Sequence, residues 1–222
     1  MTTALPVEGP YWRVGYHADP TGYTPWELYA FNHRFDDLSR RFRTLYVAES
    51  PETCLREVLA DYRPNLAARQ RHIARYGPEA AQDFAPHPIT AQWRRQHVLL
   101  SVVLQCDGPV LDLTDLGTRR DVENRHLDLL RKNDLDHLDL HEITTSRRAL
   151  TQTIAAGAFD RGMSAVRFPS RLDGGVCLAL FEGRGSVAPH GSPVALTDPA
   201  PPPLIAVAAS WDLTMEAVSA VP

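Results

Sequence analysis

The stretch "HVLLSVVLQC" (97–106) constrains this chain more than any other. It is an almost unbroken apolar run, closed by Asp107-Gly108-Pro109. A run of this length bounded by a turn reads as a buried strand. Such a strand must pass its backbone N–H and C=O groups to neighbours, so the chain has to build a sheet around it. The run is also well short of the roughly 18 apolar residues of a membrane span, and no other run reaches that length. The N-terminal "MTTALPVEGPYWRV" lacks the basic start and apolar stretch of a signal peptide. A cytoplasmic protein is expected.

Further elements follow by local signals. "YWRVGY" (11–16) and "RTLYVAE" (43–49) read as strands, with a Pro- and Gly-containing loop over 17–33. Ser50 then supplies an N-cap, Pro51 a first helical residue and Glu52 a first-turn acid. In that helix Cys54, Leu55, Val58, Leu59 and Tyr62 recur at helical spacing as a buried stripe, and Glu57 lies outside it. "NLAARQRHIARYG" reads as a basic helix and "DFAPHPIT" as loop. "VLDLTD" (110–115) reads as a short strand. "RRDVENRHLDLLRK" (119–132) and "SRRALTQTIAAGAFDRG" (146–162) read as helices. "SAVRFPS" (164–170) and "VCLALFEG" (176–183) read as strands joined by the turn "RLDGG". A Pro-rich stretch (188–203) reads as loop, and "LIAVAASWDL" (204–213) as a final strand. Strands outnumber helices and several can pair locally. The expected fold is α+β, a single domain over 1–222 with a mixed, mostly antiparallel β core flanked by helices.

Composition excludes some functions. The chain carries a net charge of −4, whereas domains held to nucleic acid by phosphate contacts are usually basic. No direct nucleic-acid binding is expected. Cys54, Cys106 and Cys177 are widely spaced without a CxxC pair, which supports neither a disulfide framework nor a zinc site. All three read as buried, inert thiols. His137 and His141, four apart, could share a helix face, but they do not form HExxH and no third ligand is signalled. No metal is expected. "RLDGGV" is not a phosphate-binding glycine loop, and no serine sits in GxSxG.

What remains is a set of polar residues at element ends: Arg13, Arg34, Tyr46, Glu57 and Ser170. Each has an ordinary explanation alone. Together with their surroundings they carry a resemblance. "HRFDDLSRRFRTLYVAESPETCLREVL" resembles the first half of the RES domain, a family called after its Arg, Glu and Ser. "VLDLTD" resembles its middle strand, and "AAGAFDRGMSAVRFPSRLDGGVCLALFEG" its last part. The three pieces occur in family order across about 11–183. The sequence departs from the pattern where His33 precedes Arg34 and "FDDLSRR" follows it. Residues 65–96 and 117–145 are longer than a minimal member needs.

The resemblance implies an ADP-ribosyltransferase-like fold and an enzyme that destroys NAD. Such an enzyme releases nicotinamide by hydrolysis or by passing ADP-ribose to phosphate. Many members are toxins paired with a helix-turn-helix antitoxin. NAD is then a substrate, and no cofactor is expected. The implied roles are Glu57 as catalytic carboxylate, Tyr46 as an aromatic face for nicotinamide, Arg13 and Arg34 as pyrophosphate ligands, and Ser170 as an orienting hydroxyl. The alternatives are an ADP-ribosyltransferase acting on a macromolecule and a non-catalytic interaction module. Self-assembly into a homo-oligomer that buries the cleft is the other restraint such an activity allows. The basic segment around 65–96, with Arg63, Arg69, Arg71, Arg75, Arg94 and Arg95, reads either as a solvated helix or as a border of the cleft that attracts anions.

Overall fold

A computed structural model describes residues 9–84, 87–145 and 148–218. Its strands are β1 (Tyr11–Tyr16), β2 (Thr44–Ala48), β3 (His97–Cys106), β4 (Val110–Asp112), β5 (Ala165–Pro169), β6 (Val176–Phe181), β7 (Gly185–Pro189) and β8 (Val194–Ala195). Its helices are α1 (Pro51–Leu59), α2 (Leu66–Tyr76), α3 (Ala91–Gln96), α4 (Leu116–Arg125), α5 (Leu127–Lys132), α6 (Leu140–Thr144), α7 (Arg148–Asp160) and α8 (Pro202–Ser210). The strands form one sheet in the order β4-β5-β6-β2-β1-β3-β7, with β8 also on β3. Among the described strands, β4 and β5 are the one parallel pair. This is the expected mostly antiparallel core flanked by helices. Among the described residues no helix is long and apolar enough to cross a membrane.

The buried run 97–106 is indeed the long strand β3, paired with β1 on one side and with β7 and β8 on the other. Alternation along the strands sorts side chains to two faces. Leu45, Val47, Leu100, Val102, Leu178 and Leu180 fill one face. On the other, Ala48, Cys177, Ala179 and Phe181 pack with residues of α4 to α7. Leu55 and Leu59 of α1 meet Leu204, Val207 and Ala208 of α8 on that same side, where Trp12 and Val14 join both clusters.

Several expectations change. Residues 204–213 are not a strand: Pro202 and Pro203 open helix α8. A short apolar run cannot be told from a buried helix by periodicity alone. Here burial of Leu204, Val207 and Ala208 against an exposed Ile205 follows helical spacing. The single helix expected over 119–132 is broken at His126 into α4 and α5. The strand read over 110–115 ends at Asp112, because Asp115 turns to cap α4 by accepting from the Thr118 amide at 2.6 Å. Part of the Pro-rich loop forms edge strands β7 and β8. Val58 is exposed rather than buried, and Cys106 is only half-buried. The start of the helix expected at 146 lies outside the described residues.

Arg94 leaves the basic surface altogether. Its side chain is 1% exposed and donates to the carbonyls of Leu196 and Glu216 and to Asp198. Helix α2, with Arg69, Arg71 and Arg75, buries none of its residues.

Candidate functional site

Strands β1 and β2 are neighbours yet share a single register pair, Trp12↔Ala48. Each is well paired on its other side, β1 to β3 as far as Tyr16↔His97 and β2 to β6 as far as Thr44↔Phe181. Beyond the shared pair the two halves of the sheet therefore part. Val14, Gly15 and Tyr16 on one side and Thr44, Tyr46 and Val47 on the other line a cavity of about 520 Å³. That is within the usual size range of small-molecule sites.

Arg13 sits at this split. Each of its guanidinium nitrogens donates to a main-chain carbonyl: Nε to Pro20, Nη1 to Tyr46 and Nη2 to Gly22. It thus ties β2 and the loop after β1 to one point, and burial lowers its pKa. The loop lies so close that a Cβ on Gly15 would meet the Pro20 oxygen at 2.2 Å. Glycine is required there by space alone.

Glu57 enters from α1. Ser50 caps that helix by accepting from the Thr53 amide at 3.1 Å, and Pro51 opens it. Burying Leu55 and Leu59 stabilises its seat by about 1.5–3 kcal/mol each. Ser170, just after β5, donates its hydroxyl to Glu57 Oε1 at 2.6 Å. The Leu172 amide donates in turn to Ser170 Oγ at 3.1 Å. Glu57 Oε2 takes no hydrogen bond among the described residues. The "RLDGG" turn joins β5 to β6 as expected, and it also docks on α1. Asp173 accepts from Thr53 Oγ1 at 2.9 Å and from Arg56 at 3.1 Å. Burial pushes the Asp173 carboxyl up, but the Gly175 amide, the Thr53 hydroxyl and Arg56 outweigh it and hold it low. A Cβ on Gly175 would meet Thr53 Oγ1 at 2.2 Å. Close docking of turn on helix is what places Ser170 against Glu57.

Tyr46 is held by a residue that the motif reading passed over. Its hydroxyl accepts from the Phe35 amide at 3.0 Å and donates to Asp36 Oδ1 at 3.2 Å. Asp36 is fully buried and also accepts from Tyr29 Oη at 2.6 Å and from the His33 amide at 2.7 Å. Burial first, then the Asp36 carboxylate, push the Tyr46 phenol far above its ordinary pKa, so it stays a donor. The Tyr46 ring lies between His33 (centroids 5.7 Å apart) and Phe168 (6.4 Å, edge-on).

Arg34 also lines the cavity. Its terminal nitrogens donate to the carbonyls of Ile143, Thr144 and Thr145, at the C-terminal end of α6. Cations favour helix C-termini, and here the arginine fastens the 33–37 turn to that helix. Both expected phosphate ligands therefore have main-chain carbonyl partners. The cavity brings in further residues that the motifs did not signal: Arg148, Arg171, His97 and Trp93. Trp93, His97 and Tyr16 form an aromatic wall, with ring centroids 4.7 Å apart at each step.

The other candidates fall away from the cavity. Arg69, Arg71 and Arg75 do not line it. His137 precedes α6 and lies 3.8 Å from Glu123, so it shares no helix face with His141. Among the described residues no cluster of His, Cys, Asp or Glu could hold a metal ion. Burial raises all three thiols, Cys54 to about 12 and Cys106 to about 11.

The site is thus a split in a sheet. A carboxylate held through one oxygen faces it, with an anchored phenol ring, several guanidiniums and an aromatic wall. Such a constellation can bind a planar, anionic ligand and stabilise a developing positive charge. The family model of the RES domain matches residues 10–215. No curated protein matches the chain. A solved structure described as the crystal structure of the M. tuberculosis MbcT-MbcA toxin-antitoxin complex is similar at 20% identity and a TM-score of 0.48, covering 82% of this chain and 83% of that one.

Proposed function

The chain belongs to the RES-domain family, and from that premise we propose that it degrades NAD by cleaving the bond between nicotinamide and ribose. The observation that carries this reading is Glu57 at the cavity wall, with Oε1 held by Ser170 and Oε2 without a hydrogen bond among the described residues. When the C1′–N bond breaks, its electron pair passes to the nicotinamide ring nitrogen and neutralises the pyridinium. Positive charge then develops on the ribose, as in glycoside hydrolysis. A carboxylate fixed beside that carbon stabilises the charge without having to reorganise. Water or phosphate then attacks C1′, giving ADP-ribose or its phosphate. Tyr46 offers its ring to the nicotinamide, and Ser170 orients Glu57.

In the same reading the protein is a toxin that acts in the cytoplasm and is restrained by a cognate helix-turn-helix antitoxin. Incubating the purified protein with NAD tests the activity through nicotinamide release. Mass spectrometry of the products separates hydrolysis, phosphorolysis and transfer to a macromolecule. Absence of nicotinamide release at micromolar enzyme would sink the reading.

The anchoring of Tyr46 has its own consequence. Tyr46→Phe keeps the ring but leaves the Phe35 amide and one Asp36 contact unpaired in a buried place. Stability is expected to fall by about 1–2 kcal/mol, and kcat/KM roughly tenfold as the ring loses its fixed position. Denaturant unfolding and steady-state nicotinamide release measure the two effects. If neither changes, Asp36 does not orient the ring.

A further inference from the structure

We propose that Arg148 and Arg171 form the anion subsite of the cleft and take the diphosphate of a nucleotide, while Arg13 and Arg34 hold the walls. This deepens the NAD reading and rests on it for the identity of the nucleotide. Four arginines line the cavity, Arg13, Arg34, Arg148 and Arg171, against the carboxylates Glu57 and Asp61. The excess of positive charge stands out on a chain with a net charge of −4. The arginines divide by how their nitrogens are engaged. Every guanidinium nitrogen of Arg13 and both terminal nitrogens of Arg34 face main-chain carbonyls. Arg171 is exposed and makes no hydrogen bond among the described residues. Arg148, the first residue of α7, is exposed and among the described residues gives only Nη1, to the Asn32 carbonyl.

The two lie within electrostatic reach of Arg34. Burial lowers the Arg34 pKa, Glu57 opposes that, and Arg171 and Arg148 press it down further. Like charges gathered at a cavity wall cost free energy until an anion neutralises them. A guanidinium presents paired donors that match phosphate oxygens. Position adds an argument. Arg171 directly follows Ser170, which holds Glu57. A diphosphate gripped by Arg171 would fix the attached ribose relative to the carboxylate, which is how remote binding contributes to rate.

The test is titration of ADP into the full-length protein by calorimetry, at low and at high salt. Arg148→Ala and Arg171→Ala are each expected to weaken ADP binding about tenfold, and the double variant more. Arg171→Lys should recover only part, because lysine lacks the two-pronged contact. Binding should weaken with salt in wild type and much less so in the double variant. Both side chains are exposed, so melting temperatures should match wild type. With NAD as substrate, each alanine variant should lower kcat/KM about tenfold. ADP that binds the double variant as tightly as wild type overturns the subsite, and so does ADP that binds neither. If wild type releases no nicotinamide but ADP binding still depends on both arginines, the NAD reading falls and the subsite stands.

Discussion

Glu57→Gln is expected to slow nicotinamide release by about 100-fold or more while leaving the melting temperature within a degree or so of wild type. The two halves of this expectation come from different features. Glu57 is exposed, and it is Cys54, Leu55 and Leu59 that seat α1 in the core. Glutamine is nearly isosteric, and its amide oxygen can still accept from Ser170 Oγ. The side chain therefore keeps its place and loses only its charge. A neutral amide cannot stabilise the positive charge on the ribose as a carboxylate does. Initial-rate measurements of nicotinamide release, with thermal melts of the same samples, check both halves. A Glu57→Gln enzyme as fast as wild type would remove Glu57 from the chemistry. A slow enzyme that also melts early would show a structural role instead.

The largest expected loss of stability lies elsewhere, at Arg94. Its guanidinium holds together three parts of the C-terminal segment: the Leu196 and Glu216 carbonyls and the Asp198 carboxylate. The Asp198 side chain is 42% exposed, so its ion pair adds little against solvent. The cost of Arg94→Ala comes from the void left by a fully buried side chain and from carbonyls left without a donor. That sums to about 3 kcal/mol, or a melting point lower by about 10 °C for a chain of this size. The segment it fastens carries α8, whose Leu204 and Val207 pack with Leu55 and Leu59 of α1. Loosening it should therefore reduce activity indirectly, in step with stability. Urea unfolding of Arg94→Ala and Arg94→Lys measures the effect, and lysine should restore only part. A loss below about 0.5 kcal/mol would mean that the C-terminal segment is held by its apolar contacts alone.

Much of the frame and part of the candidate site's lining were legible in the sequence. β1, β3, the capped start of α1 and the β5–β6 hairpin lie where local signals put them. Glu57 and Ser170, 113 positions apart, hydrogen-bond to each other. Their meeting was not visible in either segment alone. Only the resemblance to a family had set them in one site. Asp36 shows the opposite case. It is a buried carboxylate in the loop "FDDLSRR", where an acidic residue reads as solvated, and nothing nearby in sequence announces that two tyrosine hydroxyls will converge on it.

The sequence by itself determined the elements whose stability is local. An N-cap serine followed by proline starts α1 wherever that helix lies, and an apolar run closed by Asp-Gly-Pro makes β3. The tertiary structure alone decided the rest, because each decision is a competition among distant groups. Residues 204–213 could satisfy their backbone as strand or as helix, and an apolar surface on α1 made the helix the better burial. A guanidinium pairs with whatever acceptor the fold brings near. Arg13 and Arg34 meet main-chain carbonyls, Arg94 is drawn into the core, and Arg171 meets no acceptor among the described residues. The cleft itself exists because β1 and β2 pair once and then part, each held by its other neighbour. Strand pairing is long-range hydrogen bonding, and no property of "YWRVGY" or "TLYVA" alone specifies where it stops.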